Sequence, residues 1–112
     1  MRSDTVSEHR HLLRRAAYAA ASQARRLAAQ LDAESSASSW DQRAWSAADR
    51  QPTTAARYTR AALAVLDEAL MVVTAAVATD RAVGDDWTAI GAALGVSADT
   101  ASRRYRPHPN RP

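Results

Sequence analysis

The sequence predicts an all-α chain: two long heptad-patterned helices followed by a C-terminal pair of short helices, assembled as a dimeric helical bundle. Three observations carry that expectation. Apolar residues recur at alternating three- and four-residue steps through two stretches of roughly thirty residues. All three glycines, Gly84, Gly91 and Gly95, fall in the last third of the chain, where they punctuate short elements and leave the long ones uninterrupted. Hydrophobic residues make up 46% of the chain, yet much of this is alanine and none is Phe. Alanine favours helix but buries little area, so a lone chain packs thinly and a second copy is the natural source of further burial.

Residues 1–34 read as the first pairing helix, capped by Ser3 or Asp4 and running without Gly or Pro to about Leu31. Val6, Leu13, Ala17, Ala20, Ala24, Leu27 and Leu31 form its expected seam, a narrow stripe suited to helix pairing. Arg10, Arg14, Arg15, Arg25 and Arg26 lie on the other side and either solvate the helix or follow a nucleic-acid backbone.

Residues 35–52 are expected to be a linker. Glu34 to Ser39 reads as a break, and Trp40, Ala44, Trp45 and Ala48 mark a short helix capped by Ser39. Its tryptophans serve as docking anchors or as a partner-binding patch. Residues 53–83 form the second long helix, behind Pro52 and a Thr53 or Thr54 cap. Its expected seam is Thr59, Leu63, Leu66, Leu70, Val73 and Val77, widened by Ala62, Val65, Ala69, Val72 and Ala76. A helix apolar on more than one side expects more than one neighbour.

Residues 84–106 hold the densest information. Trp87, Ile90, Gly91 and Leu94 recur at i, i+3, i+4 and i+7, with Asp85 or Asp86 ahead as N-cap. Gly95 supplies a left-handed C-cap, Val96 its apolar contact, and Ser97 the next N-cap. The second short helix starts at Ala98, buries Ala101 and Tyr105, turns Asp99, Ser102 and Arg103 outward, and stops before Pro107. This is the plan of a helix-turn-helix, whose second helix enters the DNA major groove. Residues 107–112, with three prolines, are expected to be a disordered tail.

The run WxxIGxxLGVSxxxAxxRY, carried by Trp87, Ile90, Gly91, Leu94, Gly95, Val96, Ser97, Ala101, Arg104 and Tyr105, resembles the C-terminal motif of small actinobacterial helix-turn-helix proteins, themselves similar to sigma-factor region 4. It covers about a fifth of the chain. With the pairing helices, the resemblance leads to the expectation of a dimeric transcriptional regulator on double-stranded DNA. The contact set expected on that reading is Ser97, Ala98, Asp99, Thr100, Ser102, Arg103, Arg104 and Arg106, with Arg103 the foremost base or phosphate contact. Members of that family usually carry Arg-Gln directly after the serine, where this chain has Ala98 and Asp99. Alanine contacts only a thymine methyl, and aspartate accepts only from a cytosine amino group. Asp99 equally suits the first turn of any helix, through the macrodipole.

Charge fits that expectation. Residues 1–31 carry six Arg against Asp4 and Glu8, residues 32–96 five Arg against nine acids, and residues 97–112 four Arg against Asp99. Positive ends thus flank an acidic middle, although the exclusive use of Arg also fits a GC-rich genome. The acidic middle and the linker tryptophans also suit a second class, a module that keeps this shape but binds a protein such as a sigma factor, a toxin or another regulator.

Other classes are disfavoured. The chain has no Cys and three His, with His9 and His11 on different helix faces and His108 in the tail, so no metal site, no cofactor and no catalytic constellation is expected. Asp67/Glu68 and Asp85/Asp86 are adjacent in sequence, not opposed across a site. The apolar run Ala69–Thr79 is bracketed by charge and too short for a bilayer. A cytoplasmic, nucleoid-associated protein without membrane contact is the expectation.

Overall fold

The computed structural model describes residues 2–36 and 55–107. All regular structure among them is helical: α1 (Arg2–Ser36), α2 (Arg57–Val83), α3 (Trp87–Leu94) and α4 (Ala98–Tyr105). The Trp40–Trp45 segment, the Thr53 or Thr54 cap and the tail after Pro107 lie outside the described residues. α1 outruns its expected end, because Glu34, Ser35 and Ser36 stay helical instead of opening a break. The reason is a clamp on Glu34, given below.

The chain divides into two compact units. The first comprises Met1–Ala16 and Met71–Pro112. Within it α1 and α2 run antiparallel: Val6, Ser7 and Arg10 share a groove with Arg81–Gly84, while Leu12 and Ala16 share one with Met71, Thr74 and Ala75. The Thr79 hydroxyl donates to its own helix at the Ala75 carbonyl, 2.8 Å away, and lies 3.3 Å from the His9 carbonyl. A side chain that small brings the two backbones close. The core is Val77, Ile90 and Ala101, ringed by Val73, Trp87, Leu94, Val96 and Tyr105. It thus joins the end of α2 to both short helices. Among the described residues no large side chain is fully buried, the thin packing that an alanine-rich composition implies.

The second unit is Ala17–Leu70. Its fixed point is Glu34, whose carboxylate is 2.6 Å from the Arg57 guanidinium and accepts from the Tyr58 hydroxyl. Arg57 also donates to that hydroxyl at 2.9 Å and stacks 4.9 Å from the Tyr58 ring centre. The hydrogen bond from Tyr58, with Gln30 and Arg57 assisting, holds the Glu34 carboxyl below its ordinary 4.5, against an opposing push from burial. A residue assigned to a break is therefore the tie between the end of α1 and the start of α2.

The contact stripes match those expected only in part. On α1 the half-buried positions include Val6, His9, Leu13, Ala16, Ala20, Gln23 and Leu27, whereas Ala17, Ala24 and Leu31 are exposed. On α2 the covered positions include Ala61, Val65, Glu68, Val72, Ala75 and Thr79, stepping by three and four, beside the expected Ala69, Val73, Ala76 and Val77. The larger apolar residues expected there, Leu63, Leu66 and Leu70, leave half their surface in solvent, at 50%, 50% and 51%. Small or slender side chains, polar ones included, let helices approach more closely than leucines do. The seam therefore follows size as much as hydrophobicity.

By length and composition alone α2 is long and apolar enough to cross a membrane, a test that core helices of soluble proteins also pass. Almost none of the apolar stretch is buried within this chain.

Candidate nucleic-acid interface

Both short helices are set by caps encoded one residue at a time. α2 ends on Gly84 at φ 106°, with Gly84 N–H donating to the Arg81 carbonyl at 3.1 Å and Asp85 N–H to the Asp80 carbonyl at 3.0 Å. α3 ends the same way on Gly95 at φ 77°: Gly95 N–H donates to Ala92 at 3.3 Å and Val96 N–H to Gly91 at 2.9 Å. This paired bonding satisfies carbonyls that a helix end otherwise orphans, and it needs a residue at ease in the left-handed region.

At the helix starts, Asp86 accepts from Ala89 N–H at 2.9 Å, deciding between the two candidate caps of α3. Ser97 accepts from Thr100 N–H at 3.0 Å and donates to the Thr100 hydroxyl at 2.9 Å. Arg81 joins α2 to α3, donating to the Asp85 carbonyl at 3.0 Å while its guanidinium covers the Trp87 ring at 4.7 Å.

Gly91 has a role its place in the apolar stripe does not reveal. A Cβ there would lie 2.8 Å from the Val96 carbonyl oxygen and 3.0 Å from the Ser97 carbonyl carbon and oxygen. The backbone of α3 rests directly on the turn that leads into α4. Ala101, wholly buried, and Ile90 then lock the two helices together.

The inward face of α4 is Ala98, Ala101, Ser102 and Tyr105, at i, i+3, i+4 and i+7; Ala101 and Ser102 are buried and the other two half-buried. Ser102, 8% exposed, is thus a packing residue, which corrects its expected outward position and removes it from the accessible contact set. A serine is small enough to sit beside Ala101 against α3. Thr100 is half-buried and bonded to the Ser97 cap. What α4 offers to solvent is Ser97, Asp99, Arg103 and Arg104, with Arg106 just past its end. Asp99 and Arg103 pair at 3.2 Å across one turn. The resulting face is basic by two net charges, and among the described residues no group of three or more His, Cys, Asp or Glu is placed to hold a metal ion.

Comparison with protein-family models, curated proteins and solved structures finds no match for this chain.

Proposed function

We propose that the chain is a duplex-DNA-binding protein, a transcriptional regulator, that acts as a dimer and presents α3 and α4 as a helix-turn-helix. The carrying observation is the α3–α4 pair itself. A left-handed Gly95, the Ser97 cap and the contact of Gly91 with the turn set α4 rigidly against α3, with its arginines facing solvent. Anchored that way, α4 is short enough for the major groove, and Arg103, Arg104 and Arg106 can meet phosphates or base edges.

Its grip is chiefly on phosphate. Ala98 is half-buried, Thr100 is engaged by the cap, Ser102 is inside, and Asp99 occupies Arg103. Few groups remain to read bases, whereas three arginines remain to neutralise phosphates. Selection from a pool of random duplexes tests the proposal: recovery of duplex with a weak consensus is the expected result, and no enrichment of bound over unbound duplex at low salt would refute it.

The Asp99–Arg103 pair favours a second reading. An outer face carrying both signs suits a protein surface, so the same head would dock on a sigma factor, a toxin or another regulator. Retention of such a partner by a chain without DNA affinity would select that reading.

A further inference from the structure

We infer that the groove between α1 and α2 beside the end of α4 binds a small anionic amphiphile, an unbranched acyl carboxylate, with its carboxylate on Arg106. The site lies wholly within the unit of Met1–Ala16 and Met71–Pro112. The inference goes beyond the DNA reading and does not depend on it.

Two cavities meet in this groove, of about 300 and 360 Å³, and His9 and Ala78 line both. The α1 wall is His9, Leu12 and Ala16, at i, i+3 and i+7, and the α2 wall includes Met71, Ala75, Ala78 and Ala82, at i, i+4, i+7 and i+11. Those spacings set each group on one face of its helix, so the two cavities form one channel along the helix pair. From Met71 to Ala82 the channel runs about 16 Å along α2. Leu12 and Met71 stand at one end, 52% and 63% exposed. Val77, Trp87 and Tyr105 wall the other. Alanines line the stretch between, so the chain has no large side chain there to occupy it, and the combined volume lies in the range of small-molecule sites.

Charge selects the occupant. Neither cavity is lined by an Asp or Glu, and the two guanidiniums, Arg81 and Arg106, stand together at the α4 end. Arg81 is committed to the Asp85 carbonyl and the Trp87 ring. Arg106 is exposed and holds no ion pair among the described residues. The complement is one negative charge at that end followed by an unbranched apolar tail. A tail of about twelve carbons extends over the length of the groove and gains from each methylene it buries. Other occupants fit less well. Residues 108–112 contain no Leu, Ile, Val, Met, Phe, Tyr or Trp to lay along it. A helix from a second copy, about 10 Å across, would rest above the alanines and leave the space over them unfilled.

Isothermal titration calorimetry of the full chain without DNA tests the inference, with dodecanoate below its micellar concentration as the probe. Saturable binding of one dodecanoate per chain is expected. Hexanoate should bind at least about a hundredfold more weakly, and dodecyltrimethylammonium, a cation on the same alkyl tail, should not saturate the site. Arg106→Gln should weaken dodecanoate about tenfold, and Ala78→Phe should abolish binding by filling the point where the cavities meet. Circular dichroism checks that both variants keep their helicity, and the exposed Arg106 keeps the test decisive if Ala78→Phe unfolds. Absent or unsaturable binding, equal uptake of the cation, or indifference to Arg106→Gln would overturn the inference. So would a dimer, seen by sedimentation, that Ala78→Phe dissociates, or retention on phosphatidylglycerol vesicles that Ala78→Phe abolishes, since these assign the groove to a second copy or to a membrane surface. Because no DNA is present, failure here leaves the DNA reading standing, and failure to bind DNA leaves this one standing.

Discussion

Arg103 and Asp99 hold one another at 3.2 Å on the open face of α4, with 74% and 79% of their side chains in solvent. So exposed a pair contributes at most about 1 kcal/mol and is screened by salt, but on the proposed DNA-binding reading its aspartate stands where a phosphate would approach. Asp99→Asn should therefore leave thermal stability within about 0.5 kcal/mol of wild type and tighten duplex binding roughly three- to tenfold at low salt. Fluorescence anisotropy with a labelled duplex measures the second effect, and unchanged or weakened binding would argue against a phosphate-facing α4.

Ser102 gives the complementary control. Being buried, it has no route to a phosphate, so Ser102→Ala should leave duplex affinity within about twofold. Ser102→Gln should unfold the head at lower denaturant instead, since the added volume has no room beside Ala101.

The contact of Gly91 with the turn predicts a size-dependent penalty. Gly91→Ala should cost about 1–3 kcal/mol in urea unfolding, because the atoms it meets are backbone and cannot rotate away. At Gly95 space is open but φ is 77°, so conformation decides. There Asn, tolerant of the left-handed region, should cost less than Ala. Equal penalties for Gly95→Asn and Gly95→Ala would contradict the cap assignment.

Glu34 links stability to pH. Its carboxyl is held below 4.5 in the folded chain, first by the Tyr58 hydroxyl and then by Gln30 and Arg57. The native state thus binds this proton less readily than the unfolded state. The Glu34 contribution is present above about pH 4.5 and is lost as pH falls through the lowered folded value. Glu34→Gln should destabilise the chain at pH 7 and converge on wild type in the acid range, as thermal melts across pH will show. A constant difference at all pH values would mean that the Tyr58 and Arg57 contacts do not act through the carboxylate charge.

What could be read from residues alone follows from how each element is encoded. The short helices were legible because Asp86, Gly95 and Ser97 act locally, each through its own side chain or its lack of one. The long-helix seams were legible only in part: Val6, Leu13, Ala20 and Leu27 of α1 and Val65, Val72, Val73 and Val77 of α2 are covered as expected. Their members include His9, Gln23, Glu68 and Thr79, polar residues that a search for apolar periodicity passes over, yet slender enough to lie between close backbones. Ser102 escaped for the same reason. Conversely, Leu63, Leu66 and Leu70 follow the heptad step clearly and are left half exposed. Apolar periodicity shows that a stripe seeks a neighbour without showing which neighbour.

The central claim is that α4 binds duplex DNA through its arginines, and the salt dependence of binding tests it most directly. Affinity for a random-sequence duplex should fall linearly on a log–log plot against salt, and Arg103→Ala should reduce the slope by about one without changing the helical circular dichroism. Binding that is absent at low salt, or a slope that Arg103→Ala leaves unchanged, would contradict the account.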